Sequence, residues 1–404
     1  MHILILNHYA GSPYYGMEYR PYYLAQEWIK MGHTVTIVAA NNSHIRRVNP
    51  KPQGKIWEEN VDGIRYIWIK SRPYGGNGVA RMLNMLDYIR GFKRNMKKFV
   101  ALKPDVVVAS STYPLDNYPA FKLAKKTGAQ FIYEVHDLWP LSPQKLGGYS
   151  KWHPFIVVMQ HAENFAYKHV DKVVSILPCA EEHMKEHGLP NGKFYHVPNG
   201  IYLPEVENAE PLSAEFKDQL PKDKKIIGYC GTLGRANALH NLVEVANMVK
   251  DSNPDLFFAI VGKGPEKDNL NALISKYGLT NIKIYDAIPK PQVQSFLQLS
   301  SIIIIIWSDS DLYKYGISPN KIFDYMYAGK PVLQAVRAGN DIPRDSGCGV
   351  TCDTTPQEIA ETLKKMLALP QSELEKMGAN GHQYVLEHHS YEVLAKRFLE
   401  AIDN

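Results

Sequence analysis

The stretch Ile317-Ser318-Pro319-Asn320-Lys321-Ile322-Phe323-Asp324-Tyr325-Met326-Tyr327-Ala328-Gly329-Lys330-Pro331-Val332-Leu333 is the most informative in the chain. It predicts a loop, a short amphipathic helix and a strand, because Pro319 suits a first helical turn and Gly329 suits a helix exit. Lys321 and Asp324 are three residues apart, so they share one helical face near the N-terminus. This arrangement suits a nucleotide-sugar, with the cation on the diphosphate and the carboxylate on the ribose hydroxyls. An ordinary surface ion pair is the alternative.

Length and composition are those of a large globular protein. The chain has 404 residues, of which 45% are hydrophobic and 22% are charged, and this length favours two or three domains. The apolar run at 2–6 lacks a basic flank and predicts a strand instead of a signal peptide. The four cysteines form no CxxC pair, so a zinc site is not expected. We therefore expect a cytoplasmic protein.

Strands and helices are predicted to alternate along the chain, which is typical of parallel sheets covered on both faces. The predicted strands are 2–6, 34–39, 64–69, 105–109, 130–135, 172–176, 194–197, 226–230, 256–261, 282–285, 302–307 and 331–333. The predicted helices are 17–31, 79–102, 115–127, 154–168, 180–187, 238–250, 266–277, 291–299, 319–328, 356–367 and 372–402, the last with a break near 388–390. The predicted fold class is α/β.

A proline-containing stretch with little periodicity, residues 199–221, predicts a linker near the middle of the chain. We therefore expect an N-terminal domain over 1–200 and a C-terminal domain over 201–387, followed by a last helix at about 388–404. In open α/β sheets, ligands bind at the carboxyl ends of the strands. The loops that follow the predicted strands are therefore the first places to search for function.

Two such loops stand out in the first half. The loop at 7–20 is long and rich in Tyr, His and Gly, and Gly16 near its helix lets backbone N–H groups approach a phosphate or sugar. His136 and Asp137 follow the strand 130–135, and a neutral imidazole there can take or orient the proton of an acceptor hydroxyl. The structural alternative is a His that caps a turn and an Asp that caps the next segment.

Two glycine-containing turns stand out in the second half. Gly231, Thr232, Arg235 and Asn237 lie between a strand and a helix, which favours a phosphate-binding turn. Arg235 is expected either to contact the phosphates or to be a solvated loop charge.

The second turn contains Gly262 and Gly264 and has the same strand–glycine–helix order. A full GxGxxG dinucleotide fingerprint is absent from it. We therefore expect this turn to lie near a nucleotide without forming a dinucleotide site.

The sequence Asp309-Ser310-Asp311 follows a strand and has the form of a DxD metal motif. Two aspartates with this spacing also occur by chance in loops, and Lys321 together with helix ends can stabilise diphosphate charge. We therefore predict that the protein needs no metal ion and no other cofactor.

A basic helix is predicted at 89–99. Its basic residues fall mainly on one face and its apolar residues on another: Arg90, Lys93, Arg94, Lys97 and Lys98, against Ile89, Phe92, Met96 and Phe99. Such a helix can lie on an anionic membrane surface, and a core-covering helix with a solvated basic face is the alternative. The formal net charge of +5 favours the membrane hypothesis. Nucleic acid is not an expected partner, because no binding motif accompanies these residues.

The segments 317–333 and 133–140 resemble retaining glycosyltransferases that have two Rossmann-like domains facing across a cleft, the GT-B fold. Asp324 matches the second Glu of the Glu-x7-Glu motif of their largest family, and Gly316 stands where the first Glu would fall. The Asn-Lys pair before Asp324, and the sequence Asp-Leu-Trp-Pro at 137–140, are similar to the subgroup that builds bacterial surface polysaccharides.

The resemblance implies a set of site residues. His136, Asp137 and Lys321 would be catalytic. The donor-binding residues would be Gly16, Gly231, Thr232, Arg235, Asn237, Gly262, Gly264, Ser318, Asn320 and Asp324. The family has Arg and Lys where this chain has Thr232 and Asn237, so Arg235 and Lys321 are expected to replace those two cations.

The resemblance also implies an activity and a place in the cell. A sugar would move from a UDP-sugar donor to a polyprenyl-diphosphate-linked saccharide acceptor at the inner face of the membrane. The last helix would cross back to the first domain. A UDP-sugar 2-epimerase of the same fold and a non-catalytic protein that binds a nucleotide-sugar or lipid are the alternatives.

Overall fold

The computed structural model describes residues 1–76 and 78–403. The described chain forms two compact units, one comprising Met1–Asn199 and the residues from Tyr391 onward, the other Gly200–Ser390. Asn404, the last residue of the predicted C-terminal range, lies outside the described residues. No helix in the described part of the chain is both long enough and apolar enough to cross a bilayer.

The first unit contains one large sheet. Its strands are β1 (His2–Leu6), β2 (Thr34–Ala40), β3 (Ile56–Val61), β4 (Ile64–Ile69), β5 (Val106–Ala109), β6 (Gln130–Val135), β7 (Lys172–Ser175) and β8 (Phe194–His196). Their order is β3-β4-β2-β1-β5-β6-β7-β8. Every described neighbour pair is parallel except β3 with β4. The chain order reverses between β1 and β5, so this is where a ligand site is expected.

Helices cover the first sheet. They are α1 (Arg20–Lys30), α2 (Val79–Arg94), α3 (Met96–Ala101), α4 (Asn117–Thr127), α5 (Leu141–Gly147), α6 (Pro154–His169) and α7 (Glu181–Glu186). α4 contacts α2, α3 and α6, so these four helices form one layer. The predicted helix 79–102 is interrupted at Asn95, whose side-chain amide donates to the carbonyl of Gly91.

The second unit contains a fully parallel sheet among the described residues. Its strands are β9 (Lys225–Cys230), β10 (Leu256–Val261), β11 (Ile282–Tyr285), β12 (Ile302–Ile306), β13 (Val332–Ala335) and β14 (Gly349–Cys352). Their order is β11-β10-β9-β12-β13-β14, with a reversal between β9 and β12. Alternate residues of β12 join different core clusters, Ile302, Ile304 and Ile306 on one face and Ile303 and Ile305 on the other. A continuous isoleucine run therefore fits a strand that is buried on both faces.

The helices of the second unit cover both of these faces. They are α8 (Leu203–Val206), α9 (Ala214–Asp218), α10 (Leu239–Val249), α11 (Lys267–Lys276), α12 (Val293–Gln298), α13 (Asn320–Tyr327), α14 (Ile342–Ser346), α15 (Pro356–Leu367) and α16 (Gln371–His389). The predicted linker 199–221 is wrong as an irregular segment. It forms α8 and α9, and it buries Leu212 and Phe216 in the core of this unit.

The last helix, α17 (Tyr391–Asp403), packs within the first unit, where it contacts α1 and β7. The indole N–H of Trp28 donates to the carbonyl of Ala395 at 3.1 Å, and the Trp28 ring packs edge-on against Phe398. Ser390 is extended and separates α16 from α17. The C-terminal segment of the first unit thus begins at Tyr391, a few residues after the predicted position.

The prediction of two α/β halves built on parallel sheets is confirmed, and the elements that it missed are two edge strands, β3 and β14, and several short helices. β3 was missed because its sequence is polar, with Glu58 and Glu59 in its middle. Glu58 pairs with Arg65 and Lys98, and Glu59 accepts a hydrogen bond from the hydroxyl of Tyr15. Polar residues are therefore accommodated in this antiparallel edge strand by a partner in the adjacent strand, Arg65, and by two partners distant in sequence, Lys98 and Tyr15.

Candidate functional site

Lys321 lies at the carboxyl end of β9 in the second unit. Its ammonium donates to the hydroxyl of Tyr229 at 3.1 Å and to the side-chain oxygen of Asn237 at 2.5 Å. It also lies 5.0 Å from the ring centre of Tyr229 and 6.0 Å from that of Trp307. We call these four residues the Lys321 cluster. They come from β9, α13 and the loops after β9 and β12, so they meet at the reversal of strand order.

The ammonium of Lys321 is half-buried, and no carboxylate among the described residues lies within 4.0 Å of it. Burial lowers the pKa of Lys321 to about 8, so the side chain is mostly charged at neutral pH. A buried cation without a carboxylate is costly unless an anion joins it. This geometry favours an anionic ligand at the Lys321 cluster.

Asn237 connects the loop after β9 to the ammonium of Lys321. Its amide N–H₂ donates to the carbonyl of Thr232 at 2.9 Å, while its side-chain oxygen accepts from Lys321. Tyr229 also donates to the carbonyl of Thr232, at 2.8 Å. Asn237 thus holds the loop with one end and orients the ammonium of Lys321 with the other. Gly231 leaves room for this ammonium, because a Cβ there would lie 3.4 Å from its nitrogen.

Arg235 is not brought into the Lys321 cluster by any contact that the structure describes. Its side chain is 92% exposed and lies 3.3 Å from Glu266 in an exposed ion pair. Thr232 is also exposed, although its backbone carbonyl supports the Lys321 cluster. Of the two replacement cations expected from the sequence, Lys321 alone is built into the described core of the site.

Gly262 and Gly264 have a packing reason for lacking a side chain. A Cβ at Gly262 would lie 1.9 Å from the carbonyl oxygen of Gly231, and a Cβ at Gly264 would lie 2.3 Å from that of Leu233. The two turns are joined by a hydrogen bond from the Leu233 N–H to the Lys263 carbonyl. These glycines therefore allow one loop to press against another, and they fix the shape of the loop that carries Thr232.

The backbone just before α13 explains why position 316 is Gly, where the resembled motif has Glu. Gly316 has φ +94°, a left-handed backbone that a Glu would adopt only with strain. Ser318 is buried just before α13, and Asn320 is exposed as its first residue. The hydroxyl of Tyr325 donates to the carbonyl of Cys230 at 2.8 Å, which fixes α13 against the end of β9.

Asp324 lines a separate depression of the second unit. The depression is formed by Glu205, Val206, Lys290, Pro291, Val293, Gln294 and Asp324. Burial raises the pKa of Asp324 to about 6, and nearby Lys290 opposes this shift. Asp324 and Lys321 both influence the thiol of Cys230, so they flank the end of β9. The carboxylate is ionised at neutral pH and can accept hydrogen bonds from a ligand in the depression.

The Asp309-Ser310-Asp311 segment forms loop contacts. Asp309 pairs with Arg337 at 3.1 Å, and the hydroxyl of Ser310 accepts from the N–H of Leu312. Within the described residues, neither aspartate belongs to a group of three potential ligands whose donor atoms lie within 4.8 Å of one another. The expected absence of a metal requirement stays a prediction.

His136 lies at the carboxyl end of β6 in the first unit. Its Nε2 is 3.0 Å from the hydroxyl of Ser110 and 3.3 Å from the carboxylate of Glu134, which in turn accepts from Arg20 at 2.8 Å. We call these four residues the His136 cluster. Arg20 and Glu134 are almost fully buried, whereas the side chain of His136 is 12% exposed.

The pKa values in the His136 cluster follow from this geometry. Burial alone lowers the pKa of a histidine, but the Glu134 carboxylate outweighs burial and raises the pKa of His136. Burial likewise raises the pKa of a carboxyl, but Arg20 and His136 outweigh it and hold the pKa of Glu134 well below its usual range. Since Ser110 donates to Glu134, the Nε2 of His136 carries a proton and donates to Ser110. This imidazole is suited to donating hydrogen bonds.

Asp137 is engaged locally. Its carboxylate accepts a hydrogen bond from the hydroxyl of Ser142 in α5, and burial raises its pKa. Asp137 therefore has a short-range partner in α5, but it does not cap that helix, whose N-cap is Pro140.

Gly16 is buried in a tight loop. Its φ is +97°, and a Cβ there would lie 2.7 Å from the backbone nitrogen of Arg47. Its N–H donates to the carbonyl of Ser12 at 2.7 Å. The glycine at position 16 is therefore required by the backbone conformation of the loop.

Several residues with structural roles in these clusters were not singled out from the sequence. Glu134 sits inside a strand, Ser110 follows β5, and Tyr229 and Trp307 look like core aromatics. Arg20, the first residue of α1, also donates to the carbonyls of Val197 and Pro198. A signal was available for Glu134, because an acid in an apolar parallel strand needs a buried partner.

Both halves of the chain are similar to known glycosyl transferase families. Residues 15–200 match the family described as "Glycosyl transferase 4-like domain", and residues 213–384 match "Glycosyl transferases group 1". A probable glycosyltransferase, WbjE of Pseudomonas aeruginosa, is 24% identical over 277 residues, which cover 66% of this chain and 68% of WbjE. A putative colanic acid biosynthesis glycosyl transferase, WcaI of Escherichia coli (strain K12), is 25% identical over 301 residues, covering 68% and 72%.

The fold is shared with solved structures. One is Anabaena HepE in complex with UDP and glucose, with a TM-score of 0.67 and 15% identity over 100% of this chain and 99% of HepE. At this identity the likeness shows the GT-B fold alone. Since the two family matches together span residues 15–200 and 213–384, this chain belongs to the group 1 glycosyltransferases, with a glycosyl transferase 4-like N-terminal domain.

Proposed function

We propose that this glycosyltransferase moves a sugar from a UDP-sugar donor to a hydroxyl of a lipid-linked saccharide in bacterial surface polysaccharide assembly. The observation that carries the donor proposal is the half-buried ammonium of Lys321, held by Asn237 and Tyr229 without a carboxylate among the described residues. The diphosphate is the anion that would join it. Lys321 then stabilises the negative charge on the departing UDP.

The ribose of the donor would bind to a second residue of α13, Asp324. Asp324 is three residues after Lys321 in α13, about 4.5 Å along the helix axis. This spacing suits adjoining phosphate and ribose groups, so Asp324 accepts hydrogen bonds from the ribose hydroxyls. HepE, which shares the fold, was solved with UDP and glucose, and this supports UDP as the nucleotide to test first.

The proposed acceptor rests on the relatives and on the surface of the first unit. WcaI is described as a putative colanic acid biosynthesis glycosyl transferase, which supports an acceptor in polysaccharide assembly. The proposed acceptor carries a lipid, so the enzyme would work as a peripheral protein at the cytoplasmic face of the membrane.

The membrane surface would be the outer face of the layer formed by α2, α3, α4 and α6. The apolar residues Ile89, Phe92, Met96 and Phe99 are buried, so the helix at 89–99 does not insert them. The exposed basic residues of this layer include Arg90, Lys93, Arg94, Lys97, Lys122, Lys125 and Lys126. Lys98 instead pairs with Glu58.

Exposed apolar side chains accompany the basic residues. Trp152, just before α6, is 77% exposed, and Val157 and Val158 of α6 are also exposed. Residues 138–162 contain no Asp or Glu, so nothing in this segment repels anionic lipid. A tryptophan beside basic residues is typical of a protein that touches the interface of a bilayer.

The proposed chemistry is transfer with retention. Three carboxylates near the two clusters are engaged, Glu134 by Arg20, Asp137 by Ser142 and Asp309 by Arg337. Glu18 also acts on His136, and Asp324 is assigned to the ribose in this proposal. A covalent glycosyl intermediate on a carboxylate is therefore disfavoured. Attack on the same face as UDP departure, with an ion-pair-like transition state, fits better. His136 donates to the sugar or acceptor and positions it.

The test is a turnover assay with a panel of UDP-sugars, each with and without a lipid-linked saccharide acceptor. Acceptor-dependent UDP release with a retained anomeric configuration is the expected result. Sugar interconversion without acceptor would instead identify an epimerase, and binding without turnover would identify a non-catalytic partner. Lys321→Ala should lower turnover roughly 10²–10³-fold, because it removes one charge-stabilising donor.

A further inference from the structure

Away from the Lys321 and His136 clusters, three potential metal ligands converge on the first unit. Glu163 lies in α6, His183 lies in α7, and His187 lies at the C-terminal end of α7. Within the described residues, this is the one group of three or more His, Cys, Asp or Glu side chains whose ligand atoms all lie within 4.8 Å of one another.

The two histidines are four residues apart, so they project from the same face of a helical turn. Their rings are in contact, with centroids 4.4 Å apart. The Nε2 of His183 lies 3.6 Å from Oε1 of Glu163, which is longer than a good hydrogen bond. Ligand atoms around a tetrahedral zinc ion are about 3.4 Å apart, given bonds of about 2.0–2.1 Å. The His183–Glu163 pair is close to this spacing at 3.6 Å, and a ligand atom of His187 lies within 4.8 Å of both.

Glu163 is oriented by two neighbours. Tyr167 donates its hydroxyl to Oε1 at 3.1 Å, and Gln160 donates its amide to Oε2 at 2.7 Å. Metal-binding carboxylates are usually fixed in this way by outer hydrogen bonds. No Lys or Arg lies within 4.0 Å of Glu163 among the described residues, although the side chain is only 1% exposed. A buried carboxylate needs a positive partner, and the neighbouring groups that can supply or bind one are the two imidazoles.

We propose that Glu163, His183 and His187 bind one divalent zinc ion, with water in the fourth position. Two imidazoles and one carboxylate form a known zinc ligand set, whereas Mg²⁺ and Ca²⁺ prefer oxygen ligands. The ion would join α7 to α6. Its role would be to stabilise the first unit, because none of the three ligands belongs to the His136 cluster.

The experiment uses the full-length chain, stripped with a chelator, dialysed and titrated with zinc chloride. Zinc binding is followed by competition with a chromophoric chelator, and stability by thermal unfolding. We expect one zinc ion per chain and a rise in the unfolding temperature that Mg²⁺ does not reproduce. His187→Gln should weaken zinc binding at least tenfold and remove the temperature shift, and His183→Gln should do the same.

The matched control is His388→Gln, which removes an exposed histidine of α16. It should bind one zinc ion as tightly as the unmodified chain does. If His183→Gln fails to fold, His187→Gln decides, because that side chain is only half-buried. Equal zinc binding by all variants, or no stoichiometric binding by the unmodified chain, would overturn the proposal in favour of a His183–Glu163 ion pair without metal.

Discussion

At the scale of single residues, the most informative position is Lys321. A solvated lysine would give no reason to expect a ligand, but this one is half-buried and its described partners are a phenol and an amide. Burial lowers the pKa of Lys321 to about 8, which lies within an accessible pH range. The charge of the proposed donor site is therefore expected to change as the pH rises through about 8.

UDP affinity should consequently depend on pH. It should be highest below pH 8 and should fall as the pH rises through about 8, because the neutral amine no longer attracts the diphosphate. Lys321→Arg keeps its charge over this whole range, so its UDP affinity should be nearly constant from about pH 7 to 9.5. Titration calorimetry at several pH values measures both.

The control for this prediction is Lys330→Arg, a change nine residues away that should leave the pH dependence of UDP binding as it is in the unmodified chain. A UDP affinity that does not change across pH 8 in the unmodified protein would place Lys321 outside the donor site.

His136 gives a second prediction at this scale. Glu134 raises the pKa of His136, so the imidazolium, which donates from both ring nitrogens, persists to higher pH than in an ordinary histidine and is lost as the pH rises further. The value of kcat/KM should fall over the same pH range, in which His136 loses its proton. His136→Ala should lower turnover about 10²-fold while UDP affinity stays nearly unchanged. His136→Gln keeps an N–H donor that cannot titrate, so it should retain more activity than His136→Ala. Its kcat/KM should not show this fall at high pH.

Exposed His169 provides the comparison, since His169→Gln should behave like the unmodified enzyme. Normal turnover in His136→Ala would move the acceptor-positioning role elsewhere in the first unit, with Asp137 as the next residue to test.

At the scale of elements, the layer of α2, α3, α4 and α6 carries the proposed membrane surface. The enzyme should co-sediment with anionic liposomes, and less so as salt rises. Replacing Lys93, Arg94 and Lys97 by Ser should release it, since each basic residue near such a surface contributes about 1 kcal/mol. Trp152→Ser should weaken binding in a way that salt hardly changes, because its contribution is apolar.

Three exposed lysines of the second unit, changed together to Ser, control for net charge: Lys364, Lys365 and Lys376. This variant should bind liposomes like the unmodified protein. If the unmodified protein fails to co-sediment with anionic liposomes at low salt, this layer is not a membrane-binding surface.

At the scale of the whole molecule, we predict transfer without a catalytic metal ion. Activity should survive EDTA, because Lys321 and helix ends supply positive charge to the diphosphate. Asn replacements at Asp309 and Asp311 should cost far less turnover than Lys321→Ala. The assay is best run well below the unfolding temperature and repeated in His187→Gln, which separates any loss of a stabilising zinc ion from loss of catalysis. Restoration of an EDTA-abolished activity by Mg²⁺ or Mn²⁺ in that variant would contradict the prediction.

Local pattern was sufficient to predict much of the fold. The isoleucine run of β12 and the amphipathic α13 were placed within a few residues, because burial on two faces and helical periodicity leave direct marks in the sequence. β3 and α5 were missed, since a polar edge strand and a short helix carry weak signals. Asn95, which interrupts the predicted helix 79–102, shows that one side chain can override helical periodicity.

The sequence by itself determined two parallel α/β halves and placed Lys321 and Asp324 on one short helix, because these properties depend on neighbours a few residues apart. Tertiary structure alone decided that Asn237 meets Lys321 across 84 residues of sequence, and that Arg20 meets Glu134 across 114. It also decided that Arg235 points into solvent and that the apolar side of α2 and α3 faces the core. The physical reason is that the free energy of a buried charge depends on partners that only the folded chain brings together.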